Sequence, residues 1–447
     1  MSFTMLPQAF SHGVHPGDNK DATAALPTER MPFVARYELL LGQHIGRPSR
    51  PVVSVGQRVQ RGELIATPDG HVSTSLHAPV TGKVVALEDR RHPNGALVPA
   101  VELEADLFDP QAPPRGEAQD WAAMTTQQFV SAVQAGGIVG MGGAAFPSHV
   151  KYALPEGKVC KRLILNGAEC EPYLTSDHRL MVERPMAVLE GAEILAHHLK
   201  AQAVTVGVEA NKPDALEALR GAIAERKWAM PMEVRGLPVK YPQGAEKMLV
   251  KALFDVEIPA GKLPLDVGFV VNNVGTSAAM ADWLLRGEPL IERVVTVSGP
   301  GVKTPSNLVV PIGTPVREVL NRAGGLTQDT KLVVMGGPMM GMPLASLDAP
   351  VLKGTSGLLA FTQSQTKMPD EYACVRCGRC LEACPYFLNP SRLGRLGKAG
   401  RFEEMERYFV MDCVECGSCT WACPSGVPIV QLIRVAKATL RSKGAKK

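Results

Sequence analysis

The chain has 447 residues, a net charge of +4, and 45% hydrophobic and 21% charged side chains. A length near three times the common domain size predicts about three domains or more, and this balance excludes wholesale disorder and gives no electrostatic reason to expect nucleic acid as the main partner. No stretch approaches the ~20 apolar residues of a membrane span, and the opening MSFTMLPQAFSHG shows no basic start followed by an apolar run, so neither an integral membrane chain nor a secretory signal is expected.

Residues 1–38 read as an extended arm. His15-Pro16, Asn19-Lys20, Pro27 and Pro32 interrupt any periodicity, and such an arm is expected to lie on another domain. Residues 39–110 carry short β-rich segments, PVVSVGQRV, GELIAT, HVSTSLHAPV, GKVVALE and LVPAVELEA, separated by Gly and Pro, which predict a small β-barrel or sandwich. The pairing of VGQRVQRGELIA with APVTGKVVAL resembles the biotinyl/lipoyl hammerhead. The stretch between these halves, TPDGHVSTSLH, lacks the lysine on which a carrier domain holds its cofactor, so the barrel is expected without the swinging arm.

After a linker at 106–120, residues 121–275 alternate strand and helix patterns: RLILNGA, a long helix over 178–200, AVTVGVEA, a helix over 213–227, MEVRGL, a helix near 245–254 and VGFVVNNV. Such alternation predicts a mainly parallel sheet with helices on both faces, a Rossmann-like α/β domain. Residues 285–350 return to short strands, RVVTVSGPGV, NLVVPIG and KLVVMGGP, which with the helix TPVREVLNRAGG predict a small β-grasp, SLBB-like unit. Residues 362–440 hold most of the cysteines. Lys437, Arg441, Lys443, Lys446 and Lys447 near the end read as a solvated basic tail, with docking to an acidic partner or membrane surface as the sharper alternative.

The cysteines carry the strongest chemical signal. Cys374-x2-Cys377-x2-Cys380-x3-Cys384-Pro385 is followed by Cys413-x2-Cys416-x2-Cys419-x3-Cys423-Pro424. This is the bacterial two-cluster ferredoxin run, in which the fourth cysteine of each run ligates the other cluster. One [4Fe–4S] cluster is therefore assigned to Cys374, Cys377, Cys380 and Cys423, the other to Cys413, Cys416, Cys419 and Cys384. Zinc usually takes two separated C-x2-C pairs, and eight disulfide-forming cysteines imply a small secreted chain, so neither competitor fits. Cys160 and Cys170 lie far away and read as free thiols in or near strands.

The segment Gly136-Gly137-Ile138-Val139-Gly140-Met141-Gly142-Gly143-Ala144-Ala145-Phe146-Pro147 precedes Lys151. Repeated glycine lets a backbone approach a ligand and offer N–H groups to an anion. The segment is neither a Walker loop nor the Rossmann fingerprint. Asn166 to Pro172 follows a strand, where α/β sheets bind ligands; Tyr241-Pro242-Gln243-Gly244-Ala245-Glu246 opens a helix; Asn272-Asn273 ends a strand. Each alone reads as a turn or cap. Together they supply the amides, carboxylates, aromatic ring and lysine that a nucleotide cofactor requires.

These segments resemble the flavin- and NADH-binding (NuoF-like) subunit of respiratory complex I. The resemblance implies that Gly140, Gly142, Gly143, Ala144, Phe146 and Lys151 cradle FMN, that Asn166, Glu169 and Glu171 contact flavin and nicotinamide, that Tyr241, Gly244 and Glu246 meet NADH, and that Asn272 and Asn273 lie near the flavin phosphate. Glu169, Glu171 and Glu246 are the implied catalytic carboxylates. The chain departs from the family pattern at Ala145, normally glycine, and Ala168, normally aspartate.

The order of arm with GVHP and NK, barrel with QHIGRP, flavin domain, β-grasp unit with GGPMMG and double-cluster domain is similar to the RnfC family over essentially the whole chain. RnfC-like chains often carry a Lys/Ala-rich extension after the clusters, which this sequence is expected to lack. The resemblance implies an electron-input subunit of an ion-gradient-coupled NADH:ferredoxin or flavodoxin oxidoreductase, peripheral on the cytoplasmic face of the bacterial inner membrane, with the other Rnf subunits as partners. A flavin fits between NADH and single-electron clusters because it takes a hydride and releases electrons singly. Two other classes stay open at this point. One is a soluble flavin/iron–sulfur reductase such as a cobalamin reductase. The other is a flavin-free electron wire or scaffold.

Overall fold

The computed structural model describes residues 9–114, 116–367 and 369–444, so Lys446 and Lys447 of the basic tail and the first eight residues of the arm lie outside them. In the arm, β1 (Thr28–Arg30) leaves its own neighbourhood to pair elsewhere. The barrel follows: β2 (Arg36–Leu40), β3 (Arg50–Pro51), β4 (Arg58–Val59), β5 (Leu64–Thr67), β6 (Leu76–His77), β7 (Gly82–Arg91) and β8 (Leu97–Ala105). They form two sheets, β2-β8-β7-β4 and β3-β5-β6. β2 begins at Arg36, so the last residues assigned to the arm pair with β8 as part of the barrel.

The α/β domain runs α1 (Thr126–Ala135), α2 (Ser148–Tyr152), β9 (Arg162–Gly167), α3 (Ser176–Glu183), α4 (Pro185–His198), β10 (Ala203–Glu209), α5 (Pro213–Ala224), β11 (Met232–Leu237), α6 (Glu246–Phe254), β12 (Phe269–Asn273) and α7 (Val274–Arg286). All strands of its sheet, β11-β10-β9-β12, are parallel. Every residue of β10 is buried, as expected for a central parallel strand covered on both faces. The single helix expected over 178–200 is two. Pro185 has no N–H to continue α3 and disfavours the helical conformation at Arg184, so it opens α4 instead. α4 packs closely on α7 because Gly191 has no side chain: a Cβ there would stand 1.7 Å from the Ser277 carbonyl oxygen.

The next unit contains β13 (Glu292–Ser298), β14 (Ser306–Pro311), α8 (Val316–Arg322), β15 (Thr330–Met335), β16 (Met342–Pro343) and β17 (Gly357–Thr362). Its sheet order is β1-β14-β13-β17-β15-β16, so the arm supplies an edge strand, parallel to β14, and β17 carries the sheet beyond residue 350. A short helix α9 (Gln363–Thr366) leads to the cysteine-rich domain, built from α10 (Arg379–Glu382), α11 (Pro390–Lys398), α12 (Phe402–Glu406), α13 (Ser418–Trp421) and α14 (Ile429–Gly444). Leu393, Leu396, Met405, Val410, Ile429 and Ile433 form its core, with Cys380 and Cys419 packed into it. One larger core joins barrel and α/β domain, from Leu39 and Val84 to Val206 and Leu284. Among the described residues no helix is long and apolar enough to cross a membrane.

Candidate functional site

The glycine-rich loop lies between α1 and α2. A bridge between Val139 and Pro147 closes its neck, and Gly140 N–H donates to the Phe146 carbonyl at 2.8 Å. Gly142, Gly143 and Ala144 form its exposed edge, and a Cβ on Gly143 would meet nothing within 4 Å. The backbone there is open to close approach by a planar ligand. Ala145 adopts φ +50°, a conformation that costs a side chain about 1–2 kcal/mol. Its methyl is buried, 3.1 Å from where a Cβ on Gly354 would stand, so alanine in place of glycine does not obstruct the exposed edge.

Lys151, on α2, donates from Nζ to Glu246 Oε1 at 2.5 Å and to the Val271 carbonyl at 2.7 Å. The side chains of the pair are 34% and 43% exposed. An ion pair this wet adds little to stability but leaves both charges within reach of a ligand. Below it, Tyr152 OH donates to Asn272 Oδ1 at 2.8 Å. Asn273 caps α7, its Oδ1 accepting from Gly275 and Thr276 N–H, while its Nδ2 donates to Asp177 Oδ2 at 2.7 Å. Asn166 Nδ2 donates to the Gly244 carbonyl at 2.8 Å. Asn166 and Asn273 are register partners on β9 and β12. The glycine loop, Lys151, Asn166, Gly244, Glu246, Asn272 and Asn273 therefore meet at the carboxyl ends of adjacent parallel strands, where this class of sheet binds ligands.

Three expected site residues are engaged by groups of the protein itself. Glu169 accepts from Ser176 Oγ and from the N–H groups of Asp177 and His178, which anchors the start of α3. Glu171 accepts from Met339 and Met340 N–H at 3.0 and 2.9 Å, tying down the GGPMMG loop, and burial holds its carboxyl above the usual range. Tyr241 is buried and donates from its hydroxyl to the Cys416 carbonyl at 2.7 Å. Of the three carboxylates expected to be catalytic, Glu246 is the one in an ion pair with Lys151. The other two are occupied with backbone donors because their loop must be held against neighbouring elements.

Other supporting residues carried little sequence signal. Buried Lys20 of the arm donates to the carbonyls of Glu169, Glu171 and Leu174, and burial lowers its pKa. The NK of the arm was the only hint of it. Asp177 is pushed up to about 7 by burial and by the Glu169 carboxylate. Lys353 donates to the Ser75 and Gly137 carbonyls at 2.8 and 2.7 Å, holding barrel and glycine loop together, and burial brings it down to about 7. Partners from distant segments leave no local pattern to read.

The two cysteine loops share one backbone. Arg376 and Gly378 have φ +57° and +81°, and Glu415 and Gly417, at the same places in the second loop, have +59° and +82°. Left-handed residues alternating with ordinary ones turn successive N–H groups inward, a concavity suited to an anionic iron–sulfur centre. The fourth cysteines cross over. Burial and then the thiol of Cys423, with Cys374 and Cys377, raise the pKa of Cys380; burial, Glu415 N–H and Lys437 compete at Cys413, pushed up to about 11, where Cys416 and Cys384 also crowd it. A small cavity is ringed by Cys384, Cys413, Cys416 and Cys419, with Leu393 and Ile433 as apolar wall. Among the described residues no three His, Cys, Asp or Glu side chains converge on a point for a single ion. This donor set fits a polynuclear cluster, whose ligands stand wider apart than those of one zinc.

Between the two regions, Val14, Tyr241 and Ala383 pack with Cys170, Met339 and Cys416. Cys170 accepts from Gly244 N–H at 3.3 Å, with burial pushing it up to about 12; Cys160 is buried and pushed up to about 11. The loops of Cys170 and Tyr241 thus abut the loop of Cys416 directly.

Comparison with known proteins gives four family matches: the RnfC barrel sandwich hybrid domain over residues 8–107, the Nuo51 FMN-binding domain over 133–282, the SLBB domain over 294–343 and the 4Fe-4S dicluster domain over 371–427. The chain is similar, at 45% identity over 98% of its length and 95% of the relative's, to a subunit of the proton-translocating ferredoxin:NAD(+) oxidoreductase complex of Clostridium ljungdahlii. It is 41% identical to the matching subunit of the Na(+)-translocating ferredoxin:NAD(+) oxidoreductase complex of Acetobacterium woodii, covering 96% of each chain. It is 42% identical to the matching subunit of the ion-translocating oxidoreductase complex of Rhodobacter capsulatus, covering 98% of this chain and 85% of that one.

Proposed function

The chain belongs to the RnfC family, whose members are subunits of ion-translocating oxidoreductase complexes, and from that premise we propose that it is the subunit at which such a complex exchanges electrons with NADH. Its partners are the other Rnf subunits, with ferredoxin or flavodoxin as the eventual acceptor. It works as a peripheral subunit, on the cytoplasmic face of the bacterial inner membrane. Its cofactors are FMN and two [4Fe–4S] clusters. When bound, the flavin supplies the conversion between hydride and single-electron chemistry that cluster chains require.

The residues divide this work. The Gly142–Ala144 edge gives close backbone approach, and the Lys151–Glu246 pair at the mouth presents a cation and a carboxylate to flavin and nicotinamide. Asn166, Asn272 and Asn273 fix the floor through the hydrogen bonds of their own amides. Glu169 and Glu171 act as positioning residues for α3 and the GGPMMG loop. Cys374, Cys377, Cys380 and Cys423 hold one cluster; Cys413, Cys416, Cys419 and Cys384 hold the other, which stands nearer the flavin loops through Tyr241. The observation that carries the proposal is the joining of the glycine-loop site and the double cysteine loop in one packed body. A cobalamin-type reductase is disfavoured by the match that runs through the leading barrel. Replacing Lys151 with Ala or Glu246 with Gln is expected to weaken flavin or NADH binding at least tenfold with iron content unchanged, as read by flavin release and NADH titration. Full flavin and unaltered NADH affinity in both variants would remove the site from this place.

A further inference from the structure

The two cysteine loops, Cys374 to Cys380 and Cys413 to Cys419, share one spacing and one backbone but not one environment. The chain itself covers the second loop. Tyr241 OH donates to the Cys416 carbonyl at 2.7 Å, and a Cβ on Gly417 would stand 3.0 Å from the Met339 carbonyl oxygen. Glu415 pairs with Lys437 at 2.6 Å and with Arg434 at 3.3 Å. The first loop has no such cover. Cys374 and Cys377 are exposed, whereas Cys413 and Cys416 are half-buried. Val375 is 68% exposed against 36% for Val414 at the same place, and a Cβ on Gly378 would meet nothing within 4 Å.

The charges differ in the same sense. The first loop carries Arg376 and Arg379 and no acid; the second carries Glu415 and no cation. Both spacings suit the same kind of cluster, so the arginines are not a requirement of cluster binding. Arg376, Arg379 and, on α11, Arg395 are exposed, and Arg395 and Arg376 are the charges that act on Cys374. Among the described residues none of these three arginines has a carboxylate partner, whereas Lys398 and Arg401 nearby are taken by Glu371 and Glu404. Asp370 and Glu382, beside the loop in the chain, are the exposed acids that remain. The same stretch exposes Tyr372 and Leu381 along with Val375. Exposed apolar groups among unpaired cations make a surface suited to an acidic protein.

We propose that the loop of Cys374 and Cys377, with Arg376, Arg379 and Arg395, is the docking face for an acidic, redox-bearing domain of another subunit of the complex. Carboxylates of that domain pair the cations that this chain leaves unmatched, and Tyr372, Val375 and Leu381 are covered. The first loop is then closed by a partner as the second is closed by Tyr241 and the GGPMMG loop. A basic and apolar surface also suits a membrane, but an electron leaves a cluster only where its edge comes close to another redox group, and lipid holds none. The inference rests on reading the cysteine runs as clusters, and it adds which cluster faces the partner and through which residues.

The test uses the cofactor-loaded full chain and the complex purified without it. A photoreactive p-benzoylphenylalanine replacing Tyr372 is expected to give a light-dependent adduct in the reassembled complex, to an Asp- and Glu-rich peptide of a subunit that carries a redox group. Arg376→Glu and Arg379→Glu together are expected to weaken rebinding about tenfold or more and to flatten its salt dependence, with iron, flavin and melting temperature unchanged. The loop accommodates the first of these, since Glu415 holds the same backbone place in the second loop. Arg395→Glu, outside the cysteine loop, is expected to act in the same direction and decides the matter if the loop variants lose iron. Lys83→Glu, exposed on the barrel, is expected to leave rebinding unchanged. No adduct, an adduct with lipid alone, or rebinding of the charge-reversed chain within about twofold of the parent would overturn the proposal. Iron is counted apart from binding, so unaltered docking with full iron refutes this face alone, whereas a parent chain without iron refutes the cluster reading beneath it.

Discussion

Lys353 is the residue whose chemistry couples the domains most directly. Its amine donates to Ser75 of the barrel and Gly137 beside the glycine loop, and its own Gly354 neighbour backs Ala145. Replacing it with Met orphans two buried carbonyls, each worth about 1–3 kcal/mol, and is expected to lower both stability and flavin retention. The pH dependence has a definite sign. The folded pKa is held at about 7, below the ordinary 10.5, so between those values the unfolded chain binds a proton that the folded chain does not. Stability from this group therefore rises as pH climbs from 7 towards 10.5, and the full penalty of charging it applies below 7. The gap in urea midpoint between parent and Lys353→Met is expected to be wider at pH 9 than at pH 7. A gap that stayed constant or narrowed would mean that the buried amine is not what titrates. Nothing in the sequence marks Lys353 or Asp177, since each matters through partners from distant segments. The cysteine runs are legible because their x2, x2, x3 spacing is itself the pattern of cluster ligation.

At the scale of elements, the β12–α7 junction does two jobs with one side chain. Asn273 ends the strand, caps the helix and holds Asp177. Asn273→Ala is expected to cost about 1–2 kcal/mol, the usual loss for a cap, with weaker flavin binding as well. Asn273→Ser, which keeps a capping oxygen, is expected to recover most of the stability but not the bond to Asp177. Melting temperature and flavin content of the two variants check this, and equal losses in both would show that the cap is not the cause. The parallel strands are readable from sequence because burial on both faces leaves mainly apolar runs such as Ala203–Val208, broken only by Thr205. The segment 178–200 reads as one helix because its apolar period continues across Pro185, where the backbone cannot. The β-grasp sheet reads too short, since β1 and β17 join it from outside the contiguous segment and pairing partners leave no periodic trace.

For the whole molecule, the arrangement is a packed relay. The arm crosses the α/β domain at Lys20 and Tyr241, adds β1 to the β-grasp sheet, and places His12 Nδ1 3.1 Å from the Cys384 carbonyl. Tyr241 and Cys170 fill the space between the flavin loops and the loop of Cys416. The order of the parts is visible in the motifs, whereas their mutual contacts are not, because they run through the arm and through side chains such as Glu171 that the motifs suggest for chemistry. Electrons are expected to pass between NADH and the clusters inside this one chain. The most direct measurement is anaerobic purification, quantification of iron and released flavin, and stopped-flow mixing with NADH. About eight irons and one FMN per chain, with flavin bleaching followed by cluster bleaching within the same mixing experiment, is the predicted result. Full iron with no flavin, or flavin that bleaches while both clusters stay oxidised, would contradict it.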